Sequence, residues 1–73
     1  MPVTIANITA VFARRAPTTA QEQPLENIRV AAEQFARAIL QNTPACADQT
    51  VAVRCVRDAV MNATAAVLTE GLV

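Results

Sequence analysis

Two long stretches of this 73-residue chain repeat apolar residues at the spacing of an α-helix, and a proline-containing segment separates them. Residues 24–42 form the first stretch and residues 48–70 the second. Because Pro44 interrupts both patterns, segment 43–47 is expected to form a short turn. Two helices joined by so short a turn predict an antiparallel helical hairpin over residues 24–70.

The ends of the predicted helices carry residues that favour those positions. Pro24 suits the first turn of a helix, because its missing N–H is not needed there. Asp48 is suited to the N-cap of the next helix. Gly71 is suited to the C′ position after a helix that ends near Glu70.

The N-terminal part of the chain predicts a third, shorter helix. Thr4 can cap a helix over residues 4–15, in which apolar residues that include Phe12 keep helical spacing. Residues 16–23 are polar and aperiodic, so we expect a linker there. A chain of this length supports a single hydrophobic core, and residues 1–73 are therefore expected to form one all-α domain.

Both long helices have apolar faces wider than one partner helix can cover. At about 100° per residue, the apolar side chains of the first stretch span roughly 200°. On the second stretch, valines spaced alternately by three and four residues form a seam that Ala52, Ala59 and Ala66 widen. Since a lone hairpin covers one side of each face, we expect self-association into a helical homo-oligomer, with alanines allowing close approach.

The composition disfavours several classes of function. Six arginines balance six acidic residues, so no net positive charge favours duplex nucleic acid. The chain has no histidine, lysine, tyrosine or tryptophan, and we expect no enzyme, no catalytic residue and no cofactor. Apolar runs are too short to cross a bilayer, and a charged n-region followed by an h-region is missing. The sequence therefore predicts a soluble chain that is not exported.

The two cysteines provide neither a disulfide nor a metal site in this interpretation. Cys46 lies in the predicted turn and Cys55 lies within the second helix, which places their Cα atoms beyond disulfide distance. Without a histidine or further cysteines, no zinc ligand set is present. We expect two reduced thiols.

Two arginines occupy the predicted apolar faces, where a cation requires a compensating anion. Arg29 has Glu26 and Glu33 at helical spacing, so it could form a surface ion pair with one of them or contact a ligand instead. Arg57 has no acidic residue three or four positions away, and Arg54 lies at i−3. Either an anionic ligand or a carboxylate from another chain would balance the positive charges of Arg54 and Arg57.

Several segments together resemble a known family. They are residues 16–29, residues 42–48 with the order Asn-Thr-Pro-Ala-Cys-Ala-Asp, and above all the run VRDAVMNATAAV at 56–67. These segments resemble the helical hairpin shared by phage cyclic-nucleotide sponges, namely the small anti-CBASS sponge and the C-terminal hairpin of an anti-Thoeris sponge. The resemblance extends over nearly the whole chain.

The resemblance implies a non-enzymatic protein in the cytoplasm of the infected bacterial host. Such proteins bind cyclic oligonucleotide messengers of antiphage defence without cleaving them, so that the CBASS effector is not activated. The resemblance also implies a compact homohexamer with separate pockets for cyclic dinucleotides, such as cyclic GMP-AMP, and for cyclic trinucleotides. An ADP-ribose-type signal ranks lower, because the anti-Thoeris relative's extra domain has no counterpart here.

The resemblance also implies candidate ligand-binding residues. Arg29 corresponds to the family's basic residue that contacts the phosphate of a cyclic dinucleotide. Arg57, with Arg54 as the alternative, corresponds to an arginine associated with the cyclic-trinucleotide pocket.

Two positions depart from the family pattern. Many members have a tyrosine before Ala-Pro that stacks on a base, whereas this chain leaves Arg14 or Phe12 for that contact. Phe12 has the alternative role of a core residue in the short helix. The family's Met-x-Ala-Asn-Ala-Ala becomes Met-Asn-Ala-Thr-Ala-Ala, so that Thr64 replaces a side-chain amide.

A different class of function also fits the sequence. The broad apolar faces suit a helical oligomerisation or protein-interaction module that binds no nucleotide. In that case, we expect Arg57 to pair with a carboxylate across an interface.

Overall fold

The computed structural model describes residues 3–71. Residues 1, 2, 72 and 73 of the expected domain lie outside the described residues. These described residues form three α-helices, which are α1 (Ile8–Val11), α2 (Thr19–Asn42) and α3 (Ala47–Leu68). Helices α2 and α3 pack together, and residues 3–71 contain no strand. The predicted all-α class and long hairpin are confirmed.

Helix α2 begins earlier than the sequence predicted, so that the expected linker 16–23 is wrong from Thr19 onward. The start is set by Thr18 and Gln21, which occupy the N-cap and N3 positions of a capping box. The Thr18 backbone N–H donates a hydrogen bond to Gln21 Oε1 at 3.0 Å. Pro24 therefore lies at the sixth position of the helix rather than at its beginning. It is beyond the first four N–H groups, so the hydrogen bond that its position would donate to the Ala20 carbonyl is absent.

The short N-terminal helix is present, but its expected extent of 4–15 is wrong. Helix α1 comprises a single turn, Ile8–Val11, and contacts neither α2 nor α3. A helix this short is marginal without tertiary packing, and the Arg15 guanidinium donates to the Ala10 carbonyl at 3.0 Å beyond its end. We refer to residues 3–13 as the N-terminal arm.

The turn between the long helices is held by side chains from both. The N-cap of α3 is Cys46 rather than the predicted Asp48, which lies in the first turn. A carboxylate there is still favourable, because it faces the positive end of the helix dipole. Gln49 Nε2 donates to the carbonyl and the hydroxyl oxygen of Thr43, at 3.2 and 3.1 Å.

Helix α3 ends in a Schellman motif whose left-handed residue is Glu70, not the predicted Gly71. Glu70 has φ 54°, and Gly71 follows with φ 83°. The Glu70 N–H donates to Val67 O at 3.2 Å, and the Gly71 N–H donates to Ala66 O at 3.1 Å. The helix ends at Leu68 rather than near Glu70, and its C′ position falls at Glu70, one residue before the predicted Gly71.

The packing of the hairpin leaves no residue of 3–71 fully buried. Gln21 Nε2 donates to Val67 O at 2.9 Å and joins the start of α2 to the end of α3. The Cα radius of gyration is 15.2 Å, whereas a compact chain of this length has about 11 Å. The described residues form an extended two-helix layer whose apolar faces are partly uncovered.

Candidate ligand-binding surfaces

An open apolar groove runs between α2 and α3 and has a volume of about 540 Å³. Its lining contains no charged side chain. The lining residues are Ile28, Ala31, Ala32, Phe35, Ile39, Ala52, Cys55, Val56, Ala59, Val60 and Ala63. Phe35 remains 61% exposed. This apolar groove can accept apolar side chains or rings, but its lining offers an anion no positive partner.

A second, smaller pocket lies near the hairpin turn and has a volume of about 310 Å³. It is lined by Leu40, Gln49, Thr50, Val53 and Arg54, and we refer to it as the Arg54 pocket. The Gln49 amide is already bonded to Thr43, and the Thr50 hydroxyl donates to the Cys46 carbonyl at 3.4 Å. The Arg54 guanidinium therefore provides the hydrogen-bond donors of this pocket that are free for a ligand.

Arg54 and Arg57 are both exposed on α3. Within residues 3–71, neither guanidinium makes a hydrogen bond or an ion pair. Arg54 borders its pocket, whereas Arg57 lines neither the apolar groove nor the Arg54 pocket. Of the two arginines weighed for an anion site on this helix, Arg54 has the more favourable surroundings.

Arg29, which the sequence placed within the broad apolar face of this helix, is exposed and forms an ion pair. Its Nη2 lies 2.5 Å from Glu26 Oε1, and its Nε donates to Glu26 Oε2 at 3.1 Å. The two side chains are 60% and 52% exposed. The hydrogen bond from Arg29 lowers the pKa of Glu26 below its usual 4.5, and the hydrogen bond to Glu26 raises the pKa of Arg29. Of the two roles considered for Arg29, a surface ion pair or a ligand contact, the structure contains the ion pair with Glu26.

The remaining candidate residues are distributed over the chain. Phe12 is 81% exposed, so the alternative of a core residue is wrong for the described chain. Arg14 is exposed in the segment between α1 and α2. Thr64 is half-buried on α3 and lines neither pocket. Within one chain, the two pockets bring no two of the six candidates together.

Sequence reasoning missed the polar surroundings of Arg54. Thr50 precedes Arg54 by four residues, a spacing that puts two side chains on the same helix face. The spacing of Thr50 and Arg54 could have been recognised in the sequence. The position of Leu40 in the wall of the Arg54 pocket depends on how α2 packs against α3.

Comparisons with protein-family models, with curated proteins and with solved structures found no match. In the part of the chain from residue 3 to residue 71, no cluster of histidine, cysteine or acidic side chains could hold a metal ion. None of the helices over that range is long and apolar enough to span a membrane. Cys46 and Cys55 are both free and exposed.

Proposed function

We propose that this protein is a phage anti-defence sponge that sequesters cyclic oligonucleotide messengers in the cytoplasm of the infected host, without cleaving them. The observation that carries the proposal is the Arg54 guanidinium, which forms no ion pair within residues 3–71 and borders a pocket with apolar walls from Leu40 and Val53. A guanidinium binds phosphate in a forked geometry, and apolar walls suit the face of a base. The resemblance to cyclic-nucleotide sponges supports the same assignment.

The proposal includes assembly into a homo-oligomer, for which the resemblance suggests a hexamer. A cyclic dinucleotide or trinucleotide carries several phosphates and bases, whereas the Arg54 pocket of one chain offers a single cation and a small volume. A complete site would therefore need side chains from neighbouring subunits. Preformed walls between subunits would also reduce the ordering cost of binding.

Titration calorimetry with cyclic di-AMP, cyclic di-GMP, cyclic GMP-AMP and cyclic tri-AMP tests the proposal. We expect at least one messenger to bind and to be recovered unchanged from the complex. Arg54→Ala should reduce the affinity for that messenger at least tenfold, because a charge-assisted phosphate contact is lost. Arg37→Ala is the matched control, since Arg37 is an exposed arginine outside both pockets. No heat with any messenger, or equal losses for Arg54→Ala and Arg37→Ala, would contradict the proposal.

The same titrations separate the roles of the other arginines. If two kinds of pocket operate, Arg29→Ala weakens a cyclic dinucleotide while Arg54→Ala or Arg57→Ala weakens a cyclic trinucleotide. Because Glu26 holds Arg29 in an ion pair, phosphate binding at Arg29 requires that pair to open. Identical losses for Arg29→Ala and the α3 variants would refute the two-pocket arrangement.

A helical oligomerisation or interaction module without a nucleotide ligand is the second candidate. It is favoured by the charge-free lining of the apolar groove and by the internal neutralisation of Arg29. This candidate predicts an oligomer that gives no heat with any of the four messengers. It also predicts that Arg57→Ala weakens assembly, because its carboxylate partner across the interface would lose its cation.

A further inference from the structure

The N-terminal arm carries the most exposed of the large apolar side chains described in residues 3–71. Ile5 is 91% exposed and Phe12 is 81% exposed. The arm contains no charged residue, and α1 contacts neither long helix. An uncharged segment that exposes large apolar side chains is typical of one that docks on a partner.

The apolar groove offers a surface of matching chemistry. Its lining is uncharged, and alanines at five of its positions let a docked segment approach the helix backbones closely. Its volume of about 540 Å³ is sufficient for several apolar side chains. Phe35 lies in it with 61% of its surface exposed, and an aromatic side chain from the arm could pack against this ring.

We propose that the N-terminal arm of one chain docks in the apolar groove of a second copy, and that the two copies exchange arms reciprocally in a symmetric dimer. Reciprocal exchange forms each contact twice, as a two-fold interface requires. Phe12 and Phe35 of two chains would together bury roughly 550 Å², a large part of the ~1,200 Å² at which stable interfaces begin. The remaining area would come from Ile5 and the groove walls. The proposal is independent of messenger binding.

The connection between arm and hairpin permits the exchange but does not enforce it. Residues 14–18 can extend over at most about 18 Å, which allows the arm to reach a neighbouring chain or its own hairpin. In the described chain, α1 is not docked on its own helices. The experiment must therefore distinguish a neighbour's groove from the chain's own.

Cys55 in the groove provides a native thiol for a crosslinking test. In the full chain with Cys46→Ser, we would add Phe12→Cys, oxidise the dilute protein with oxidised glutathione, and separate the products on a non-reducing denaturing gel. We expect a covalent dimer, with peptide mass mapping placing the bridge between position 12 of one chain and Cys55. Cys46→Ser alone and Cys46→Ser with Gln34→Cys, which places a thiol outside the groove, are the controls and should give much less dimer.

Two outcomes of this test would overturn the proposal. A monomer with an internal bridge between position 12 and Cys55 would mean that the arm docks on its own hairpin. A yield of bridged dimer no greater than in the two controls would mean that the arm does not visit the groove.

Mixing two variants gives a second, non-covalent test by sedimentation velocity. Phe12→Asp damages the arm and Ala59→Glu damages the groove, so each variant alone should lose the arm–groove interface and sediment as a smaller species than the wild type. Their mixture should contain heterodimers, because the intact arm of one variant fits the intact groove of the other. Phe12 is 81% exposed and lies outside both helices of the hairpin, and Gln34→Glu controls for an added carboxylate on a helix. If the wild type is monomeric, or if Phe12→Asp and Ala59→Glu assemble like the wild type, the proposal is wrong.

Discussion

Single residues decide how the charges of α2 and α3 are balanced. Arg29 and Glu26 are one turn apart and neutralise each other on the surface of α2. The corresponding positions around Arg57 carry no carboxylate, and within residues 3–71 its guanidinium has no partner. The same residue type is therefore paired on one helix and available for a ligand on the other.

Glu26→Gln tests the ion pair through its pH dependence. Because the folded-state pKa of Glu26 is lowered by Arg29, the pair stabilises the fold above the carboxyl's unfolded pKa. That stabilisation is lost as the pH falls through the lowered folded value. Thermal unfolding should show the wild type above Glu26→Gln at neutral pH, with the two midpoints converging well below pH 4.5. A difference that is the same at both pH values, or that also appears with Asp58→Asn, would contradict the assignment.

Glu70→Gly tests the left-handed residue at the end of α3. Glu70 has φ 54°, a conformation that costs a residue with a Cβ about 1 kcal/mol relative to glycine. We expect Glu70→Gly to raise the free energy of unfolding by about that amount, measured by urea denaturation. Glu70→Ala removes the same charge but keeps the Cβ, so it should give no such gain. Equal effects of the two substitutions would show that the charge, and not the backbone, matters.

At the scale of the elements, two glutamines connect the ends of the hairpin. Gln21 accepts from the Thr18 N–H and donates to Val67 O, while Gln49 donates to Thr43 across the turn. Neither amide was identified as structural from the sequence. The capping-box spacing between Thr18 and Gln21 could have indicated that Gln21 helps to start α2. The contact between Gln21 and Val67, however, requires the packed hairpin.

Gln21→Ala should destabilise the hairpin more than an ordinary surface substitution. It removes one helix-cap hydrogen bond and one partly buried bond to α3, for an expected loss of about 1–2 kcal/mol in the free energy of unfolding. Gln23→Ala is the control, because the Gln23 amide bonds only to exposed Asn27. Gln21→Glu should retain the acceptor for Thr18 and lose only the donor to Val67. A loss no larger than that of Gln23→Ala would count against a structural role for Gln21.

At the scale of the whole molecule, the hairpin does not bury its apolar residues. Phe35 and Met61 are each 61% exposed, and Leu40 is 56% exposed. The wide apolar faces in the sequence correctly indicated more apolar surface than two helices can cover. The expected homo-oligomer stays a prediction, which the exposed faces support.

The stability of the assembled protein should depend on its concentration. If subunits cover the exposed faces, folding and association are linked, and the thermal midpoint rises with protein concentration. Thermal unfolding followed by circular dichroism over about a hundredfold range of concentration would measure this. Phe12→Asp should reduce the dependence if arm exchange contributes to it. A midpoint that does not change with concentration would show that the isolated chain supplies its own stability.

The sequence by itself determined the all-α class, the two long helices and their antiparallel connection, because apolar periodicity and proline positions act locally. It also identified Arg57 as an arginine with no acidic residue at helical spacing, since that spacing can be counted along the chain. The tertiary structure decided where the helices begin and end, that α1 contacts neither long helix, and that Arg54 borders a pocket with Leu40. Those features depend on side chains from different elements meeting in space, and no spacing along one helix specifies such a meeting.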